Sequence, residues 1–369
     1  MEDPILNDGN DMSLQKDVIL EDKFRKPSVL SVSALYSITV LIFVFSSKYV
    51  KNIIPSNYYY GALIGEIVLI LAPAIIFVVA GKYEFRKVLR INKLDPLNLL
   101  LIPSIMIVSL PLIGFINLIN YLFINFIFGK VTTNQLPPSP GLSGFILQLI
   151  VVAGSAALCE EAMFRGVILR GFEKAGTVTA ILISSLLFGL LHLDFEKLLG
   201  TFILGALICF FTYRTNSIFA GMAAHFTNNA IAVCFIKLSE IIKNYTERNA
   251  KILHESSKNI PKLSTEINFN QIFSSVPANQ KIIFIITASI MFLGILAFSG
   301  FLFWLLIRTF IRRTRVSVVP ARNEKIPLLK PSLALLPALD VILFIFVAQG
   351  LSLKGIHIPL IETILKFLR

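Results

Sequence analysis

Two adjacent carboxylates, Glu160 and Glu161, and an arginine four residues on, Arg165, stand inside a stretch that otherwise reads as apolar helix. Nothing charged precedes them back to Lys130. At the centre of a membrane helix each such group costs roughly 2.5–3.5 kcal/mol on insertion scales, so an intramembrane acid pair points to a functional site. Only four histidines occur, His192, His225, His254 and His357, and the first two lie in apolar runs that follow the acid pair. Phe188 and His192 are four apart, as are His225 and Asn229, and as are Glu161 and Arg165. That spacing puts the members of each pair on one helix face. A carboxylate, two imidazoles and an amide converging in a low-dielectric site suggest a hydrolase. Glu160 could take a proton from water that His192 helps to hold. His225 and Asn229 could donate to a developing oxyanion, at about 3–4 kcal/mol per donor. Arg165 reads as the partner of Glu161, lowering the cost of burying it.

The elements that must position these groups follow from the apolar runs. Spans of about 20 residues suffice to cross a bilayer, and the sequence offers Ser28–Ser47, Tyr60–Ala80, Leu97–Phe128, Gly144 to about Lys174, Thr177–Leu193, Leu198–Tyr213, Ser217–Ile236, Ile282–Ile307 and a weaker Pro331–Gly350. The expected fold is all-α, a polytopic membrane helix bundle of about eight to nine transmembrane helices. Pro103 and Pro111 are expected to kink the third span or split it into two. Ala175-Gly176 reads as the turn of a helical hairpin. Counting sixteen residues from Gly176 in either direction reaches Glu160 and His192, which would place them at one level of an antiparallel pair. One tension remains: Asp194-Phe195-Glu196-Lys197 follows His192 almost at once. Either the site lies near one face, or the link between the fifth and sixth spans dips into the membrane.

The bulk numbers agree with a membrane protein. The chain has 369 residues, 55% hydrophobic and 15% charged, with a mean hydropathy of +0.77. The net charge of +12 is gathered in short clusters between apolar runs, which fits loops facing anionic lipid rather than nucleic acid. By the positive-inside rule Lys82–Lys93, Arg165–Lys174, Arg214 and Arg308–Lys330 fall on the cytoplasmic side, with the amino terminus. The domain plan is then a cytoplasmic tail (1–27), amino-terminal membrane helices (28–143), a catalytic helical core (144–237), a polar loop without forced structure (238–280) and a carboxy-terminal membrane and interfacial segment (281–369). No cleaved secretory signal is expected in the first 27 residues, and a bacterial inner membrane is the expected location. Cys159, Cys209 and Cys234 lack any C-x-x-C spacing, and Cys159 is read as a small hydrophobe.

Glu160-Glu161-x-x-x-Arg165, Phe188-x-x-x-His192 and His225-x-x-x-Asn229 resemble the three ordered motifs of the CPBP (CAAX protease and bacteriocin-processing, or Abi) family, intramembrane endopeptidases related to type II CAAX prenyl proteases. The resemblance covers about residues 144–237. It implies hydrolysis of a peptide bond in a membrane-associated or prenylated protein. Glu160 and His192 would activate water, His225 and Asn229 would form the oxyanion site, and Glu161, Arg165 and Phe188 would support them. It implies glutamate chemistry without a metal or other cofactor.

Three other readings stand beside this one. Glu160, Glu161 and Arg165 can form a structural salt-bridge cluster, and His225-Asn229 a polar clasp between helices. Two histidines and a glutamate can ligate zinc, although H-E-x-x-H is absent. A transporter or non-catalytic scaffold would also place polar groups at mid-membrane, although no internal repeat accompanies them. Glu66 and Asp340, both in apolar runs, remain without a role at this level.

Overall fold

The computed structural model describes residues 24–53, 58–132, 141–256, 277, 279–314, 328–356 and 358–359. Among them the chain is helical throughout, with no strand. The helices are α1 (Val29–Ile53), α2 (Tyr58–Ala80), α3 (Pro96–Phe128), α4 (Gly141–Ala175), α5 (Thr177–Leu191), α6 (Leu198–Thr215), α7 (Ile218–Ser256), α8 (Lys281–Arg313) and α9 (Lys330–Leu353). Eight of them are long and apolar enough to cross a bilayer; α5 is the shorter ninth. The protein is thus an all-α, multi-pass integral membrane protein, as expected.

α4 lies at the centre, packed by α1, α2, α5 and α7, while α3 and α8 flank α6 and α7. The buried core runs through Met163, Phe164, Val167, Ile168 and Phe172 of α4, against Val32 and Tyr36 of α1 and Leu187 and Phe188 of α5. Many large apolar residues point outward, above all on α8, as helices facing lipid require.

Local sequence explains the main boundaries. α3 starts where Asp95 accepts a hydrogen bond from the Leu97 amide at 2.7 Å, with Pro96 at the first helical position, and it ends at Gly129 with φ 79°. Pro103 and Pro111 sit inside it, yet it is one helix of 33 residues rather than two pieces. Gly176, with φ 102°, makes the α4–α5 turn as expected.

α7 differs from expectation. It continues through Ser256, so the first part of the stretch read as polar loop is helical. The remainder, from 257, lies outside the described residues, as do most of the amino-terminal tail and most of the stretch after Leu353 read as interfacial.

The basic groups collect at one end of the bundle. Glu173, at the end of α4, pairs with Arg90, with Arg170 at 3.3 Å and with Lys26 at 3.4 Å. Arg170 also donates to the Lys87 carbonyl at 2.9 Å and to Asn216 at 3.2 Å. Arg214 bonds Thr314, and Arg313 pairs with Asp95 at 3.2 Å. These groups share one end of the bundle; Arg165, read with them from the sequence, instead pairs with Glu161 further back along α4.

The link after His192 is held by protein. α5 has 15 residues, about 22 Å at 1.5 Å per residue, shorter than the roughly 30 Å hydrocarbon core. Asn120 donates to the Glu196 carbonyl at 2.7 Å, the Thr132 amide to the Glu196 carboxylate at 2.9 Å, and Gln349 to the Leu193 carbonyl at 2.6 Å. Side chains of α3 and α9 thus satisfy the irregular backbone that follows α5.

Candidate active site

The acid pair sits in a helix that is wound unevenly. α4 is α-helical at Ala156–Glu161 but has wide π-helical turns on both sides, Leu149–Ser155 and Ala162–Ile168. α2 has another, Glu66–Leu71, which packs against Ala156–Glu161. These are all the π-helical stretches among the described residues; one follows Glu161 directly and one begins at Glu66. Such turns recur at functional positions because they redirect side chains.

Glu161 and Arg165 are both fully buried and pair at 2.5 Å through Oε1 and Nη1, as the i,i+4 spacing predicts. The guanidinium also donates to the Gly205 carbonyl of α6 at 3.2 Å and lies over the Phe188 ring, 4.4 Å from its centroid. Arg90 supports it in turn by donating to the Arg165 carbonyl at 3.3 Å. The same Glu161 oxygen faces Nδ1 of His225 at 2.8 Å. A carboxylate held by arginine accepts hydrogen bonds, so this contact assigns the hydrogen to Nδ1 and leaves Nε2 turned toward Glu160. There Nε2 lies 3.9 Å from Oε2 of Glu160. Arg165, Glu161, His225 and Glu160 thus form one chain of contacts through the centre of the bundle.

The other expected residues lie close, with different partners. Phe188 wedges between the imidazoles, its ring centroid 5.0 Å from His192 and 5.6 Å from His225, edge-on to both. His192 is exposed at the end of α5, with Nδ1 3.0 Å from the Phe188 carbonyl, and makes no direct hydrogen bond with Glu160. Asn229, one turn beyond His225, donates to the Val152 carbonyl at 2.9 Å and accepts from Asn228 at 3.0 Å. Its second amide hydrogen is left for another acceptor. Cys159 is buried core, matching its reading as a hydrophobe.

Sequence reasoning missed two contributors. Gly221 stands one turn before His225, where a Cβ would come within 2.5 Å of Glu161 Oε2 and of Thr212 Oγ1. Its missing side chain is what lets Glu161 reach α7, and the four-residue spacing to His225 was a usable signal. Gly221→Ala is expected to push Glu161 off His225, cost about 1–3 kcal/mol as an overpacked site, and reduce activity along with stability. Thermal midpoint in detergent and a cleavage assay on the same preparation check both effects. Glu66 is the second: it opens the wide turns of α2 that pack on the Ala156–Glu161 segment of α4. Among the described residues no three of His, Cys, Asp and Glu converge as a metal site would require.

Comparison with known proteins picks out the same segment. Residues 142–231 match a family model described as Type II CAAX prenyl endopeptidase Rce1-like. All seven motif residues named above fall within it. YdiL of Bacillus subtilis (strain 168), a membrane peptidase by name, is 33% identical over 105 residues, which are 28% of this chain and 42% of that relative. The chain therefore aligns with less than half of the relative's length. No solved structure matches the chain. The resemblance to CAAX-type membrane proteases seen in the motifs is thus found over the central helices, and the bacterial relative agrees with the expected bacterial membrane.

Proposed function

We propose that this integral membrane protein is an intramembrane endopeptidase that hydrolyses a peptide bond of a membrane-associated or prenylated protein by glutamate-activated water. The observation that carries this reading is the buried chain Arg165–Glu161–His225, with Glu160 across from the free face of the imidazole, inside the one segment that resembles CAAX-type proteases. A merely structural salt bridge needs only Glu161 and Arg165. It does not require a second carboxylate, whose Oε2 is sealed from solvent without a hydrogen-bond partner.

Glu160 removes a proton from water as the oxygen attacks the scissile carbonyl carbon, and later returns that proton to the departing amine. His225 is fixed by Glu161 through Nδ1, as an orienting carboxylate fixes a catalytic imidazole. With a hydrogen on Nε2 as well, it donates to the oxyanion, and the remaining Asn229 amide hydrogen provides a second donor. His192 stands at the accessible edge, beyond Phe188, where it positions the water or the incoming chain. Arg165 keeps Glu161 charged and in place and does not touch the substrate. Basic groups at the cytoplasmic end hold the protein against anionic lipid.

No residue in this scheme needs a metal, so cleavage of a membrane-anchored fluorogenic peptide in reconstituted vesicles is expected to persist in a strong chelator. Loss of cleavage in chelator, restored by zinc, would replace glutamate chemistry with a metal-activated water. Absence of cleavage across farnesylated, geranylgeranylated and unmodified membrane-anchored peptides would remove the protease reading.

A further inference from the structure

Arg90 lies outside the three motifs and outside residues 142–231, in the link between α2 and α3, yet it is fully buried. It serves two helices at once. The side chain turns to α4: Nη1 donates to the Arg165 carbonyl at 3.3 Å, and Nη2 pairs with Glu173. The main chain turns to α7: the carbonyl of Arg90 accepts from the amide of Ile218, its first residue, at 2.9 Å. An amide in the first turn of a helix has no partner within that helix, so an outside acceptor anchors it. The neighbouring residues repeat the arrangement. Ser217 donates to the Asn92 carbonyl and Asn92 to the Asn216 carbonyl, both at 2.7 Å. On the other side, Arg170 of α4 donates to the Lys87 carbonyl at 2.9 Å. Arg90 itself has φ 52°, a left-handed conformation that a residue with a side chain keeps only where its surroundings over-determine it.

We propose that Arg90 is a positioning residue for the hydrolysis: as the centre of this joint it fixes the level of α7 against α4, and so keeps His225 on Glu161 with Nε2 toward Glu160. The inference rests on the protease reading above. Both ends of the joint lead to reacting groups. The residue whose carbonyl Arg90 holds is the one whose guanidinium holds Glu161. The residue whose amide it holds stands seven before His225 on the same helix, about 10 Å of rise. In the site, α4 and α7 meet at the 2.8 Å contact of Glu161 with His225 and the 3.9 Å approach of His225 to Glu160. A slip of one helix past the other opens both. Misplacing reacting groups by about 1 Å costs on the order of 10²-fold in rate. Arg90 touches no substrate in this role, so its loss falls on kcat. The rival reading is that Arg90 only neutralises Glu173. That task is shared, because Glu173 also pairs with Arg170 at 3.3 Å and with Lys26 at 3.4 Å. It also leaves the bonds to the Arg165 carbonyl and from the Ile218 amide without a purpose.

Arg90→Lys separates the two readings. It keeps a positive charge beside Glu173 but replaces the two-armed guanidinium by a single compact ammonium. The variant is expected to lower kcat by roughly 10–100-fold, with KM little changed and the thermal midpoint close to the original. Charge neutralisation alone predicts full kcat. Cleavage is measured on the full-length protein in vesicles over a range of peptide concentrations, and rates are scaled to the folded fraction. Ser217→Ala is the second variant. It removes the bond to the Asn92 carbonyl from the same joint, leaves the ionic cluster whole, and is expected to lower kcat several-fold. A folded Arg90→Lys protein with unchanged kcat overturns the proposal, as does a fall that vanishes on scaling to folded protein or a change confined to KM. If Arg90→Lys does not fold, Ser217→Ala decides alone, and an unchanged kcat there overturns the proposal. These results leave the protease reading intact, which fails separately if Glu160→Gln cleaves normally.

Discussion

Cleavage by a Glu160→Gln protein is expected to fall by roughly 10²–10⁴-fold, the usual contribution of a positioned general base. Its thermal midpoint should stay close to that of the unsubstituted protein. The amide has nearly the shape of the carboxylate, so packing of α4 against α2 and α7 is kept. Nothing in the bundle depends on the charge of Glu160 for an ion pair shorter than the 3.9 Å approach to His225. What is lost is the ability to accept and hold a proton from water. A transporter or scaffold would be indifferent to this change, and a salt-bridge cluster would respond through stability instead. Wild-type rates with intact folding would sink the catalytic assignment of Glu160. Comparing membrane-associated peptides that accumulate in cells carrying the two versions would also lead to the natural substrate.

The second large effect concerns stability rather than rate. Arg165→Ala is expected to destabilise the protein by about 3–5 kcal/mol, because it leaves the fully buried Glu161 charge without its partner. The Gly205 carbonyl and the face of Phe188 lose their cation as well. The double substitution Glu161→Gln with Arg165→Met removes both charges while keeping comparable volume, and should recover much of that loss. It should not recover cleavage, since His225 would then lack the carboxylate that fixes it. Denaturation of the three proteins in one detergent, alongside the cleavage assay, tests both halves. If the double variant cleaves peptide as well as the original, Glu161 and Arg165 serve folding only.

The sequence was most informative where chemistry and helical repeat coincide. Glu161 and Arg165 had to meet because both are costly in a membrane and they stand four residues apart; they do. Gly176 marked the hairpin because it alone tolerates the φ of 102° found there. Length and hydropathy were enough for the bundle as a whole. Four features were not legible, each for a physical reason. The packing of the Glu66–Leu71 turns on the acid-pair segment joins different spans, and no local pattern encodes it. The wide turns of α4 and α2 depend on tertiary packing, and no spacing of residues along the chain announces them. The helical continuation of α7 to Ser256 runs through Lys, Asn, Thr and Glu, whose polar and aperiodic order reads as loop. The end of α5 was placed two residues late, at Leu193, because apolar composition persists after the chain has left the helix with φ 53°.

The under-wound stretches around Glu160 have a consequence for how the chain can vary. Each accommodates one residue more than an α-helical repeat would. Deleting one residue there would return the stretch to ordinary winding and leave the helix on either side in its present phase, so the loss would fall on side chains within the stretch, Arg165 among them. A protein shortened within 162–168 should still insert in the membrane and form its helices, while Arg165 no longer meets Glu161 at its present bearing. Length at these points is thus as much a part of the site as the identity of any side chain.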